Sequence, residues 1–443
     1  MLERADLIDF IASGERTANQ WTVGTEYEKH VVDAHGRPLP YTSDEGGPSI
    51  RGLLQMLVDH RGWNPVNEGE HLVALQKNGA SISLEPGGQI ELSGAPFAAL
   101  TSMKQELAEH VEDLTFLTSE LGLRWLWSGL HPLAELDAIS WMPKKRYVIM
   151  RRYLPTKGTL AHYMMKSTAT VQANLDFGDE GDMGHKLRTS MALSSLVAAL
   201  FANSPAGVPA LGHVPSAGVA RSWRWHVWKD TDPDRCGLIP WVFEGDSPTY
   251  EQWVDYALDV PMFLLEKQGQ IVDMAGRSFR TYAAQGFDGH QPILEDWALH
   301  LSTLFPDVRL KTYLEMRSAD CVPPHLIPAL PALWKGLMYD SAALDAAWDL
   351  VKGWSFHERL EHRDNSCAHG LAAEIPGKSY RTQALAVELV AIARASLPPE
   401  ERSMLDELEV IASSGRTLAD QTLDWLKAGK RTPADVLEYY EQQ

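Results

Sequence analysis

Four segments of the chain alternate polar and apolar residues in the way expected of β-strands that have one polar face. They are VGTEYEK at 23–29, ISLEPGGQIELSG at 82–94, TVQANLDF at 170–177, and residues 309–317. Successive side chains of a strand point to opposite faces, so each segment sorts its residues into an apolar and a polar set. The pattern predicts a sheet that is buried on one face only.

The polar faces of these predicted strands are rich in carboxylates and amides. A single strand of this kind is most simply explained by an antiparallel sheet whose polar side meets solvent. The four together carry few of the Lys, Thr and Ser residues that are typical of a solvated face, which favours a binding surface. The residues in question are Glu26, Glu28, Glu85, Gln89, Glu91, Gln172, Asn174, Asp176 and Glu315.

So many carboxylates on one surface require a positive partner. Two carboxylates ~4 Å apart repel by ~4 kcal/mol at an effective dielectric constant near 20. Oxygen ligands select Mg²⁺, with Mn²⁺ as the other candidate, over zinc. Arg309, Lys311 and Arg317 lie on the same predicted surface and suit an anion such as phosphate. Carboxylates, a hard metal ion and basic residues together indicate a phosphoryl-transfer site.

The rest of the chain reads mainly as helix. Helical patterns occupy 97–121, 183–203, 251–268 and 292–304, and helix follows helix from 324 to 443. We therefore predict an α+β fold, with a strand-rich part at about 20–320 and a helical C-terminal part at about 324–443. Because no boundary between them is sharp, residues 1–443 are expected to form a single catalytic domain.

Composition and charge disfavour several classes of binding partner and compartment. The 443 residues are 44% hydrophobic and 22% charged, which is ordinary for a globular protein. The net charge of −19 disfavours binding to nucleic acid and to anionic membranes. The odd number of cysteines (Cys236, Cys321 and Cys367) predicts no disulfide framework and fits a reducing compartment. The N-terminal segment lacks the basic and apolar regions of a signal peptide, so we expect a cytoplasmic protein.

Several sequence blocks resemble those of glutamate–cysteine ligases of the plant and proteobacterial type, in the glutamine-synthetase-like carboxylate–amine ligase superfamily. The likeness covers roughly residues 20–350. The blocks are VGTEYEK, SLEPGGQIELSGAP, MPKKRYVIMRRYLP, TVQANLDF, LFANSP, DTDPDRCGLIPWVF, YALDVPM, FPDVRLKTYLEMRSAD and LPALWKGLMYD. The resemblance implies a curved antiparallel sheet that forms a funnel-shaped active site and is flanked by helices.

The resemblance also implies a reaction. ATP would phosphorylate the γ-carboxylate of glutamate, and the amino group of cysteine would then attack the acyl phosphate to give γ-glutamylcysteine, in the first step of glutathione biosynthesis. One alternative is a related ligase that uses the same activation with another acceptor amine, in a different thiol or natural-product pathway. A second alternative is a non-catalytic ATP-binding homologue. The implied partners are the small molecules glutamate, cysteine and ATP, and the chain is expected to be a monomer or a homodimer.

The resemblance assigns roles to particular residues. Gln172 and Asn174 are expected near the metal ion or the substrate, and Arg146 and Arg224 are expected to hold the glutamate carboxylate. The expected catalytic residues, which would bind phosphate, are Lys311 and Arg317. The expected Mg²⁺ ligands are Glu26, Glu28, Glu85, Glu91 and Glu315.

Two segments depart from the family pattern. Residues 206–221 are longer than the family's loop, and Trp225 stands where the family has a small polar residue. Both lie beside the expected amino-acid pocket, so they bear on the acceptor amine.

Overall fold

The protein is described by a computed structural model that covers residues 2–44, 46–207 and 218–442. Its strands are β1 (Val23–Val32), β2 (Asn64–Glu68), β3 (His71–Lys77), β4 (Ala80–Leu84), β5 (Ile90–Ser93), β6 (Arg124–Leu126), β7 (Thr170–Leu175), β8 (Cys236–Gly237), β9 (Leu264–Lys267), β10 (Gln270–Asp273), β11 (Phe305–Pro306), β12 (Val308–Leu310) and β13 (Leu314–Asp320).

The helices alternate with these strands and then follow them. They are α1 (Arg4–Ala12), α2 (Ile50–Arg61), α3 (Leu100–Leu121), α4 (Lys145–Tyr153), α5 (Ala161–Ser167), α6 (Glu180–Leu200), α7 (Trp223–Lys229), α8 (Tyr250–Asp259), α9 (Phe279–Gln285), α10 (Leu294–Leu301), α11 (Ala329–Met338), α12 (Ser341–Val351), α13 (Phe356–His369), α14 (Thr382–Ser396), α15 (Asp406–Ser414), α16 (Leu418–Lys427) and α17 (Pro433–Gln442).

Within the described residues, nine strands form one antiparallel sheet in the order β12-β13-β7-β1-β5-β4-β3-β2, with β6 also paired to β1. In this register Glu26 of β1 lies opposite Gln172 of β7 and Ser93 of β5, and Glu28 lies opposite Glu91. Directly paired residues share a face of the sheet. The pairing therefore brings the polar sets of three predicted strands together.

The other face of the sheet is the core. Helix α6 packs against β13, and α11 packs against β7. The residues on this face of β1 and β7 are buried, among them Tyr27, Val171 and Ala173. Helix α6 is buried around nearly its whole circumference, as expected of a helix with apolar residues on every side.

The Pro-Gly-Gly interruption at 86–88 is the turn between β4 and β5. The Gly88 N–H donates to the Glu85 carbonyl (2.9 Å), and Gly88 has a φ of +85°, which favours glycine. A Cβ at Gly87 would lie 2.3 Å from the Lys166 carbonyl oxygen. Glycine at 87 thus lets the turn approach α5, as the hairpin requires.

Two predicted elements are wrong in detail. Residues 309–317 are not one strand, because the chain reverses at 311–313 and places Arg309 opposite Glu315. Alternation does not reveal this reversal, since paired residues of a hairpin stay on one face. The helix predicted over 251–268 ends at Asp259, because Pro261 forces Val260 into an extended conformation, and β9 follows.

The helical C-terminal part is confirmed, and it is joined to the rest through shared polar contacts. His362 of α13 hydrogen-bonds through Nδ1 to Ser195 Oγ of α6 (2.7 Å) and through Nε2 to Thr382 Oγ1 of α14 (2.9 Å). The Cys367 carbonyl accepts hydrogen bonds from the N–H groups of Arg221 and Ser222, just before α7. Along the described part of the chain, every helix is too short or too polar to cross a membrane.

The buried imidazole of His362 predicts acid sensitivity. Burial lowers its pKa to about 4, so between that pH and the ordinary value of about 6.5 only the unfolded chain binds the proton. The free energy of unfolding therefore falls as the pH falls, by about 1.4 kcal/mol per unit from this group. Urea unfolding of His362→Gln between pH 7 and 5 should show a shallower dependence than the wild type. His357→Gln, on an exposed position of the same helix, should keep the wild-type slope; equal slopes for all three proteins would contradict the assignment.

Candidate active site

A cavity of about 400 Å³ opens on the polar face of the sheet. This is the size of a small-molecule site. Of the eleven residues to which the resemblance assigns roles, eight line it: Glu26, Glu28, Glu85, Glu91, Arg146, Gln172, Arg224 and Arg317. Asn174, Lys311 and Glu315 are not part of its lining and lie behind or beside it.

One wall of the cavity is acidic. Glu26, Glu28 and Glu91 come from the paired strands β1 and β5, and Glu85 comes from the turn after β4. Burial, together with Glu315 and Glu91, raises the pKa of Glu26 to about 7. Burial and the neighbouring carboxylates also raise the pKa of Glu28 and of Glu91. The fold thus holds these carboxylates together against their mutual repulsion.

The acidic wall has the donor chemistry of a divalent-cation site. Its groups are oxygen ligands, and the neighbouring Asn174 donates from Nδ2 to Glu26 Oε1 (2.7 Å), which leaves its buried Oδ1 without a partner among the described residues. Within residues 2–44, 46–207 and 218–442, however, no three His, Cys, Asp or Glu side chains converge closely enough to hold a metal ion. Side-chain rotation would be needed to bring the carboxylates onto one ion. The predicted Mg²⁺ site remains a prediction.

Glu315 is surrounded by cations. It accepts hydrogen bonds from Arg309 Nη2 (2.6 and 2.7 Å) and from Arg317 Nη1, and it lies 3.2 Å from Lys311 Nζ. Burial acts to raise the pKa of this carboxyl, but the three cations hold it below its ordinary value. Its predicted role as a metal ligand stays a prediction, and a metal ion would have to displace a guanidinium group to reach it.

Another wall of the cavity is basic. Arg317 donates from Nη1 to Gln172 Oε1 (2.7 Å), and Arg224 donates from Nη2 to the Arg317 carbonyl (3.1 Å). Arg309, which the sequence placed on this surface, also lines the cavity. Guanidinium groups fixed in this way are suited to binding carboxylate or phosphate.

The basic segment at 144–152 forms α4, and its charged side chains point in different directions. The Tyr147 hydroxyl donates to the Leu84 carbonyl (2.5 Å) and so ties α4 to the sheet. Arg146 projects into the open cavity, and Lys144 lines it as well, whereas Arg151 and Arg152 face away. Burial and the adjacent Arg146 lower the pKa of Lys144 to about 8. The sequence did not single out Lys144, because a run of like charges is usually solvated.

The tryptophans of SWRWHVW have different surroundings. Trp223 and Trp225 are buried in packing, and the Trp225 ring lies against the Arg363 guanidinium (4.7 Å). Trp228 lines the cavity beside Arg317. Most of the segment that departs from the family pattern, namely 208–217, lies outside the described residues.

The sequence did not identify the apolar part of the lining. It is formed by side chains from separate helices and strands: Met150, Met164, Met165, Leu264, Leu299 and Phe305. These residues belong to ordinary apolar patterns, and only the tertiary structure brings them to one place. The cavity can therefore enclose a ligand that has an apolar portion and anionic groups.

Comparisons with known proteins agree with this picture. The family described as Glutamate-cysteine ligase family 2 (GCS2) matches residues 22–437. The chain is 39% identical to the chloroplastic glutamate–cysteine ligase of Medicago truncatula over 430 residues, which are 96% of this chain and 82% of that protein. It is also 39% identical to the chloroplastic enzyme of Arabidopsis thaliana over 432 residues, which are 96% and 80% of the two chains.

A solved structure confirms the predicted fold class. The glutamate–cysteine ligase of Francisella tularensis in complex with AMP superposes with a TM-score of 0.55 at 12% identity, over 96% of this chain and 88% of that one. The α+β architecture expected from the sequence, an antiparallel sheet flanked by helices with a helical C-terminal part, is thus observed.

The comparisons contradict the expected cytoplasmic location. The plant relatives are chloroplastic enzymes. Cysteine usage indicates a reducing compartment, but it does not distinguish one such compartment from another. The predicted cytoplasmic location is therefore wrong.

The buried cluster around Glu315 predicts a large stability effect. Glu315→Gln removes the negative charge that Arg309, Lys311 and Arg317 share, and it leaves them buried against one another. Breaking such a cluster should lower the free energy of unfolding by about 3–5 kcal/mol, as measured by urea denaturation. Glu251→Gln removes an exposed ion pair to Arg4 and should change this free energy little. A small effect at both positions would show that the cluster does not contribute as described.

Proposed function

Because this chain belongs to Glutamate-cysteine ligase family 2, we propose that the cavity on the polar face of its sheet is the active site of an ATP-dependent ligase. The protein is a ligase that forms γ-glutamylcysteine, the product with which glutathione biosynthesis begins. The proposal concerns the residues that perform this reaction and the metal ion that assists it.

One observation carries the proposal. A single cavity is lined both by buried carboxylates, Glu26 and Glu91 among them, and by the guanidinium groups of Arg224 and Arg317. ATP and glutamate are both anionic, so the basic wall suits their phosphate and carboxylate groups. The acidic wall would repel the same groups unless a cation lay between them.

The chemistry explains why ATP is needed. A carboxylate is a poor electrophile because it is anionic, and transfer of the ATP phosphoryl group to one of its oxygens neutralises that charge and makes the oxygen part of a phosphate leaving group. The residues that would hold Mg²⁺ are Glu26, Glu28, Glu85 and Glu91, and the bound ion would screen the phosphate charge. Within the chain, Gln172 fixes the Arg317 guanidinium, which we assign to the transferred phosphate.

The remaining predicted residues take supporting roles in this proposal. Arg146 and Arg224, which both line the cavity, bind the carboxylate groups of glutamate. Lys311 acts through Glu315, to which it is paired, and Asn174 orients Glu26. The two carboxylate-binding arginines lie in separate helices, α4 and α7, so both helices must be in place before substrate binds.

We also propose that residues 1–443 act as one catalytic domain. A single hydrophobic cluster extends from Leu7 in α1 to Leu418 in α16 and includes residues of the sheet. Backbone and side-chain contacts of α13 reach the strand-rich part at Ser195 and Arg221. Packing of this kind across the described residues supports one domain over separable parts.

The proposal is tested by measuring ADP release with ATP, Mg²⁺ and glutamate while amines are added one at a time. Cysteine should give the fastest turnover, with γ-glutamylcysteine identified by mass spectrometry. Faster ADP release with a different amine would support the activation of glutamate by ATP but would show that the acceptor is that amine, as in the alternative ligase reaction. No release with any amine would contradict the proposed active site.

Replacement of one carboxylate of the acidic wall should abolish turnover. Glu91→Gln keeps the size of the side chain but removes the charge between Glu28 and Glu85, so ADP release should fall below about 1% of the wild-type rate. Glu120→Gln, on an exposed position at the end of α3, should retain full activity. Unchanged ADP release by Glu91→Gln would contradict the assignment of this wall to a metal ion.

A further inference from the structure

Asp320, at the end of β13, is a buried carboxylate that the proposed mechanism does not use. Its Oδ2 accepts hydrogen bonds from Ser204 Oγ (2.6 Å) and from the Asn203 backbone N–H (2.8 Å). Its Oδ1 accepts from Ser222 Oγ (2.9 Å) and lies 3.9 Å from Arg224 Nη1. Both carboxylate oxygens are therefore engaged, and the charge faces Arg224.

The two serines extend this network to the backbone of α7. Ser204 Oγ accepts a hydrogen bond from the Arg224 N–H (3.1 Å), and Ser222 Oγ accepts one from the Trp225 N–H (3.2 Å). Each hydroxyl donates its proton to Asp320 and so offers its lone pairs to the helix. Because the carboxylate can only accept, it fixes the direction of both links. Asp320 thus orders the first turn of α7.

The carboxylate has little freedom of its own. The Gly129 backbone lies so close that a Cβ at that position would be 2.6 Å from the Asp320 Cβ and Cγ atoms. The Gly129 N–H donates to the Asn203 carbonyl (3.0 Å), which closes the network on that side. Asp320 therefore holds the residues that are hydrogen-bonded to it in fixed positions.

Arg224 presents an incomplete set of hydrogen bonds. Its Nη2 donates to the Arg317 carbonyl, whereas its buried Nη1 has no hydrogen-bond partner among the described residues. The side chain lines the cavity, and only 2% of the residue is exposed. A buried donor without an acceptor is unfavourable, and the carboxylate of Asp320, 3.9 Å from Nη1, offsets part of this cost through its charge.

We propose that Asp320 is a positioning residue that aims the Arg224 guanidinium at the carboxylate of the amino-acid substrate. This inference rests on the proposed function, because it assigns a support to a residue of that site. Asp320 balances the buried guanidinium charge and fixes the start of the helix that carries it. Without the carboxylate, the Arg224 side chain would lose its fixed orientation towards the substrate.

The test compares steady-state kinetics of Asp320→Asn with those of the wild type. The variant keeps the shape of the side chain and loses the charge. We expect the KM for glutamate to rise about tenfold, while kcat and the KM for ATP change by less than about twofold. Asp113→Asn is the matched control, since Asp113 is a buried carboxylate that pairs with Arg61 and Trp63 outside the cavity. It should leave both KM values unchanged.

A double-mutant cycle separates the inference from the proposed function. If Asp320 acts through Arg224, then Arg224→Gln should raise the KM for glutamate, and adding Asp320→Asn should raise it no further. A rise for Arg224→Gln with none for Asp320→Asn would overturn the positioning role alone. An unchanged KM in Arg224→Gln would overturn the substrate assignment of the proposed function.

A second variant serves if Asp320→Asn does not fold. Ser204→Ala keeps the carboxylate and removes only the hydroxyl that joins it to the Arg224 N–H. Its KM for glutamate should rise about threefold at unchanged kcat, with the folded state verified by circular dichroism and thermal melting. A wild-type KM in this folded variant would count against the proposal.

Discussion

The pairing register of β1 is the constraint on which the site depends. It sets Glu28 directly opposite Glu91, and Glu26 between Gln172 and Ser93. A slip of one residue would turn these side chains into the core and bring Tyr27 and Lys29 to the cavity. The apolar residues that alternate with the carboxylates oppose such a slip, because they pack beneath the sheet. Hydrophobic burial on one face therefore holds like charges together on the other.

The same sheet also positions the residues of the basic wall. Arg309 and Arg317 are separated along the chain, but the hairpin of β12 and β13 joins both to Glu315. One buried carboxylate thus fixes several long, flexible side chains before any substrate arrives. Less conformational entropy then remains to be lost on binding, which is the advantage of a preorganised site.

The sequence was sufficient to predict much of this architecture and some of the site. Strand alternation placed Glu26, Glu28 and Glu91 on a common face, because the period of a strand is a local property. It could not reveal that Arg309 pairs with Glu315, since this depends on where the chain reverses. Lys144 and the apolar lining were missed for a related reason: their roles arise from contacts between distant segments, which leave no local pattern.

The hydrogen bonds between α13 and the start of α7 determine which substitutions are tolerated at position 367. The acceptor at position 367 is a main-chain carbonyl, so the hydrogen bonds to Arg221 and Ser222 do not depend on which side chain 367 bears. Any small residue that fits the buried space around Cys367 would preserve them. Cys367 can therefore be replaced, for example by a small residue without a thiol, while the helix that carries Arg224 keeps its place.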